Sequence, residues 1–334
     1  MANELDFLYV SARIKVLETK LLGKTAIERI LDADGSEEAL KVLSDTDYGN
    51  DFAEMDNVYD FENALAKSFA RTIKTLKESF DEHEILRFFL VKNDYHNLKV
   101  IIKSSILGIE AKEYFSPLGE VSISEMIKFS EGDAIAMIPD SMKEAYSRAM
   151  EAYEVTQDPQ QIDLILDKAL FEEMKAIVES INDDFLREYF VAMVDLNNIR
   201  TLLRLKKIGA EAKTFDDSLL SGGSLDVEIL KELFAGEVSK IIEAFSSSPY
   251  REVIEEGIAQ WEESGGPSVF EKLIDNYLIG LARRGLYKPF GPEPVIGYLA
   301  AKENEMKILR IILVGKINSI STDMIRERLR DVYV

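Results

Sequence analysis

The 334-residue chain contains no cysteine, two histidines and one tryptophan. Without cysteine there is neither a disulfide framework nor a thiolate metal site. His83 and His96 lie thirteen residues apart, which is not a metal-ligand spacing on a helix. Strand signals are scarce too: no alternating run is bounded by hairpin turns. The longest strongly apolar stretch, 308–315, is interrupted by Arg310 and is far too short to cross a bilayer. The opening, MANELDFLYVSARIK, lacks the basic and apolar regions of a signal peptide, so a cytoplasmic protein is expected. Basic residues are outnumbered, giving a net charge of −21 that repels nucleic acid and anionic membrane surfaces. The usual catalytic signatures are missing as well. There is no G-x-x-x-x-G-K-[ST] loop, no G-x-G-x-x-G after a strand, no H-E-x-x-H and no G-x-S-x-G.

What is present is helical. Val10, Ile14, Leu17 and Leu21 step by four, three and four, and Phe185, Tyr189, Met193, Leu196, Ile199 and Leu203 keep the same stripe. All eight prolines fall between periodic segments, and Gly222-Gly223 and Gly265-Gly266 mark further connections. An all-α fold follows.

Pro139 and Pro249 are 110 residues apart, and Pro159 and Pro267 are 108 apart, which points to an internal repeat. FFLVKNDYHNLKVIIK (88–103) matches YFVAMVDLNNIRTLLR (189–204), 101 residues on. Asp94 pairs with Asp195, Asn97 with Asn198, and Lys99 with Arg200. GYLAAKENEMKILRII (297–312) keeps the apolar pattern but, read at roughly the same interval, neither the Asp nor the Asn. YVSARIKVLETKLL (9–22) is a weaker fourth copy. PLGEVSISEMIKF, SGGSLDVEILKEL and INSISTDMIRERL recur after these segments, each entering a helix through Ser, Thr or Asp. The repeat divides the chain into residues 1–110 with an extra first helix, 111–214 and 215–334, carrying net charges of −7, −8 and −6.

Repetition of Asp-x-x-Asn without the intervening His96 favours an architectural role for Asp94, Asn97, Asp195 and Asn198, tying helix ends to loops, over catalysis. The recurring helix is also basic in all four copies, between +2 and +3 within an acidic chain. Arg13, Lys99, Lys103, Arg200, Arg204, Lys307 and Arg310 are therefore candidates for meeting an acidic partner; the competing reading pairs them with acidic neighbours inside the protein. Gly222-Gly223 precedes a helix, where a phosphate cradle is conceivable but a plain connection is the simpler reading. Trp261 suits either an interface or a local core.

The segments YVSARIKVLE, FLVKNDYHNLKVIIK, SGGSL, FEKLIDNYL and EPVIGYLAAKENEMKILRIILVGK resemble the C subunit of the A-type and V-type rotary ATPases, whose eukaryotic counterpart is the d subunit. The resemblance runs from YVSARIKVLE to the final RERLRDVYV; QQIDLILDKALF in the middle repeat is looser. It implies three similar helical domains around a pseudo-threefold axis, forming a funnel. It also implies a non-catalytic role without cofactors: a peripheral protein on the cytoplasmic face of the membrane rotor ring, holding the central shaft of the soluble ATPase head. Torque would then pass through it between ATP chemistry and proton or sodium translocation. The alternatives are a helical-repeat adaptor for another assembly and an enzyme using the Asp94/His96 region, which would require a convergent pocket.

Overall fold

The computed structural model describes residues 7–55, 57–80, 84–133, 135–264 and 268–334. His83, Gly265-Gly266 and Pro267 lie outside them. Seventeen α-helices and no strand occur among the described residues. In chain order they are α1 (Leu8–Glu18), α2 (Lys24–Asp32), α3 (Ser36–Ser44), α4 (Gly49–Ala53), α5 (Phe61–Lys77), α6 (Glu84–Leu107), α7 (Ile123–Ser130), α8 (Asp140–Thr156) and α9 (Pro159–Ile181). There follow α10 (Asp184–Lys207), α11 (Ala212–Ser218), α12 (Val227–Ala235), α13 (Val238–Ala244), α14 (Arg251–Ser264), α15 (Ser268–Ala282), α16 (Pro292–Ile317) and α17 (Thr322–Arg328).

The breaks fall where backbone chemistry places them. Asp158 caps α9 by accepting from the Gln160 N–H at 3.0 Å, with Pro159 at the first helical position. Asn182 ends α9 in the left-handed region, and Asp183 immediately caps α10 through the Leu186 N–H at 2.8 Å. Ser321 caps α17 in the same manner. The tight 182–183 junction leaves α9 and α10 no slack between them.

The contacts separate two compact units. One joins Met1–Glu82 with Gly236–Val334; the other is His83–Ala235. In the first, α1 lies along α16, and one core draws on both ends of the chain: Ile27, Ile30, Leu31, Leu43 and Phe52 pack with Ile308, Leu309, Ile312 and Leu313. Trp261 is buried there against Phe270, a core residue rather than an exposed anchor. In the second unit α9 packs along both α6 and α8. α6 and α10 meet near their N-terminal ends, Phe88 with its repeat counterpart Tyr189 and with Phe190 at centroid distances of 6.5 and 6.3 Å. Edge-on aromatic packing of this kind fixes two helices without a polar group.

Candidate functional site

The three long helices α6, α10 and α16 have 24, 24 and 26 residues and share one burial pattern. Leu98, Ile101 and Ile102 correspond to Ile199, Leu202 and Leu203 and to Leu309, Ile312 and Leu313, all buried. Each helix ends in the same Schellman closure. The Ile109, Ala210 and Ile320 N–H groups reach back to the carbonyls of Ser104, Leu205 and Gly315, across a left-handed residue at Gly108, Gly209 and Ser319. In this register Asp94, Asp195 and Glu305 are equivalent.

Each of those carboxylates is buried, and each receives at least one backbone N–H group from a loop. Asp94 Oδ1 accepts from the Val121 N–H at 2.9 Å, and the Glu120 N–H also donates to it. Asp195 Oδ1 accepts from the Ser224 and Leu225 N–H groups at 2.8 and 3.2 Å, while its Oδ2 takes the Ser224 hydroxyl at 2.6 Å. One turn later, Asn97 exchanges two bonds with Ser116, side-chain N–H to carbonyl at 2.9 Å and backbone N–H to Oδ1 at 2.7 Å. Asn198 does the same with Leu220 at 3.0 and 2.9 Å. A loop crossing a helix loses water from its N–H groups, and these side chains replace that water. The fit is close enough to demand glycine: a Cβ at Gly119 would fall on the Asp94 carboxylate, and one at Gly223 on that of Asp195. Gly222-Gly223 therefore faces a carboxylate, which would repel a phosphate, and the cradle reading falls away.

The third copy corrects the sequence reading that the acid is lost. Glu305, 211 positions after Asp94, stands in for the aspartate with one more methylene, and Ile308 replaces the asparagine inside the core. Glu305 accepts from the Leu22 N–H, in the loop after α1, and from the Tyr48 hydroxyl at 2.7 Å. Lys302, also buried, donates to Glu305 at 2.8 Å and to the Tyr48 hydroxyl at 2.8 Å, with its ammonium 4.1 Å from the Tyr48 ring centroid. Burial and the Glu305 charge push the Tyr48 hydroxyl well above its ordinary range.

A further buried carboxylate, Glu173 of α9, gathers Arg87 at 2.6 Å, the Tyr95 hydroxyl at 2.8 Å and the Ser141 hydroxyl at 3.1 Å, joining α6 and α8 to α9. Burial dominates at Asp94 and raises its carboxyl to about 6 against the pull of the Val121 and Glu120 N–H groups, with the Glu120 and Glu173 charges adding to the rise. His96 faces outward, its Nε2 2.9 Å from the Tyr114 carbonyl, and does not join Asp94 and Asn97 on their buried face. Among the described residues no group of three or more His, Asp or Glu could hold a metal ion.

Most of the basic candidates are neutralised within the chain. Lys99 pairs with Asp167 at 2.7 Å and Lys103 with Asp163 at 2.7 Å, both on α9. Arg310 grips Glu62 of α5 through two nitrogens. Burial would raise Asp275, but Lys307 at 2.7 Å and Arg330 at 2.9 Å hold it below the usual carboxylate range. Arg13 donates to the Ser79 hydroxyl at 3.1 Å. Arg200 reaches only Asn197, at 2.6 Å, and Arg204 is exposed; neither makes an ion pair among the described residues.

Residues 10–328 match the family described as ATP synthase (C/AC39) subunit. The chain belongs to that family. Among its relatives are the C subunit of the A-type ATP synthase of Methanocaldococcus jannaschii, 26% identical over 97% of this chain and 86% of the relative, and the C subunit of the V-type sodium ATPase of Enterococcus hirae, 28% identical over 96% and 97%. The C subunit of the V-type ATP synthase of Thermus thermophilus is 24% identical over 93% and 94%. The C/AC39 match spans all three carboxylate–loop ties. No helix among the described residues is long and apolar enough to cross a membrane.

Sequence reasoning missed Glu305, Lys302, Tyr48 and Glu173 in this C/AC39 chain. A signal existed for the first two. KENE sits in a helix whose neighbouring positions are almost all apolar, so its charges had to be paired with something. Nothing local marks Tyr48 or Glu173.

Proposed function

We propose that this chain is a non-catalytic central-stalk subunit of a rotary A/V-type ATPase. It couples the central shaft of the soluble head to the membrane rotor ring during ATP-linked proton or sodium transport. It works at the cytoplasmic face, attached through the ring rather than inserted in the bilayer. The repeats at 1–110, 111–214 and 215–334 are the parts that a pseudo-threefold funnel would be built from.

The observation that carries the reading is the use made of the polar groups. Three equivalent buried carboxylates each accept at least one loop N–H group of the same chain. Such groups fasten loops to long helices, a structural use of these three carboxylates. Rigid, densely tied helices suit a part that transmits force, because packed interiors resist compression. Family membership and the names of the relatives supply the assembly.

The test is reconstitution of the ATPase complex with and without this chain. ATP hydrolysis by the soluble head is expected to persist without it, while ATP-driven ion uptake into vesicles disappears and returns on addition of the purified chain. Ion pumping at full rate without the chain would refute the proposal.

A further inference from the structure

Repeat positions can be compared for what each copy leaves unsatisfied. On α6, Lys99, Lys103 and Leu107 follow one another at four-residue steps and form one stripe. The first two are neutralised by Asp167 and Asp163, and Leu107 is 67% exposed. The same three positions on α10 and its C-cap are Arg200, Arg204 and Ile208, and Ile208 is 70% exposed. Here no carboxylate answers either arginine among the described residues, and from Leu196 to Ala210 α10 and its exit contain no Asp or Glu. Lys206, close by, is committed elsewhere, donating to the Leu233 and Phe234 carbonyls at the end of α12. In a chain of net charge −21, two adjacent arginines without a counter-charge are conspicuous beside their neutralised counterparts.

We propose that the Arg200–Arg204–Ile208 stripe of α10 docks a carboxylate-bearing polypeptide segment of another subunit of the ATPase. The inference rests on the stalk-subunit reading above. The two guanidinium groups sit about one helical turn apart and suit two acidic side chains spaced likewise on a partner helix. Ile208 continues the stripe with an apolar contact at its end. An anionic membrane surface is the less fitting occupant, because the field of the whole acidic chain opposes it beyond the reach of two side chains.

The chain with Arg200→Glu and Arg204→Glu is compared with the unaltered chain for binding to purified ATPase complex lacking this subunit. A Lys99→Glu/Lys103→Glu chain serves as the matched control. The docking variant is expected to lose about tenfold or more in affinity and to keep its melting temperature within about 2 °C. The control is expected to lose melting temperature, because its reversed charges face Asp163 and Asp167. Separately, Arg204→Lys is treated with a carbodiimide in the assembled complex, expected to link Lys at that position to an Asp or Glu of a different subunit. The proposal is overturned by unchanged binding of the docking variant, by a melting loss as large as the control's, or by cross-links confined to this chain. It is also overturned if the unaltered chain, but not the docking variant, binds vesicles of anionic phospholipid. Failure of the unaltered chain to bind the complex at all would instead remove the stalk-subunit reading itself.

Discussion

The backbone N–H of Leu22 donates to the carboxylate of Glu305, 283 residues further along the chain. The bond closes the third copy of a tie that the first two copies make with a loop 27 to 30 residues further along the chain. Here the loop belongs to the other end of the chain. Ser11 to the Gly291 carbonyl and Lys15 to the Leu286 carbonyl, at 2.8 Å, fasten the same ends together.

Glu305 also balances a buried lysine, so its charge and its acceptor capacity can be separated. Glu305→Gln keeps an acceptor for Leu22 and Tyr48 but leaves the Lys302 ammonium uncompensated, which should cost about 3 kcal/mol. Adding Lys302→Met removes that ammonium, and the double variant should be more stable than Glu305→Gln alone. Denaturant titration of the unaltered chain, Glu305→Gln, Lys302→Met and the double variant measures the coupling. Additive losses would show that the two side chains do not form a unit.

Asp94 makes stability depend on pH in a defined direction. Its folded pKa of about 6 lies above the ordinary aspartate value of 3.8, so the folded state holds the proton more tightly. This contribution is fully present below about pH 4 and is lost as pH rises through about 6. Asp94→Asn cannot ionise. Its stability relative to the unaltered chain should improve by on the order of 2 kcal/mol between pH 4 and pH 7. Unfolding curves at several pH values test this; a constant difference would contradict it.

The two loop glycines are required by space rather than by dihedral angle. Gly119→Ala and Gly223→Ala each set a methyl against a buried carboxylate and should destabilise by about 2–4 kcal/mol. Gly280, exposed near the end of α15 with nothing within 4 Å of its missing Cβ, is the contrast. Gly280→Ala should stabilise by about 0.5–1 kcal/mol. Thermal melts of the three variants separate the cases.

Ser319 occupies the left-handed position that Gly108 and Gly209 fill in the other copies, with φ of 54°. Ser319→Gly should gain about 1 kcal/mol, because the side chain is what makes that conformation costly. A loss on this change, read by the same melts, would mean that the serine side chain makes a contribution exceeding the strain.

Much of this architecture is legible in the amino-acid sequence. Apolar periods and prolines locate the long helices because burial and the missing proline N–H act locally. Asp94–Asn97 and Asp195–Asn198 are visible as a repeat because both copies keep the same two residue types. The third tie is hidden by three changes at once. Glutamate stands in place of aspartate, Ile308 in place of asparagine, and the loop it holds lies before α2 rather than after α16. The basic character of the recurring helices is countable, but not its destination. Asp163, Asp167, Glu62 and Asp275 sit on other helices, and no spacing within one segment tells which acids will face it.

The core shared by Ile30, Leu43, Leu309 and Leu313 sets an order of events on the ribosome. Residues 83–235 are contiguous and can pack as soon as they emerge, whereas the first helices must wait for almost the whole message to be translated before their hydrophobic faces are covered. A chain interrupted before α16 therefore leaves the apolar faces of its first helices without the residues that cover them in the finished protein.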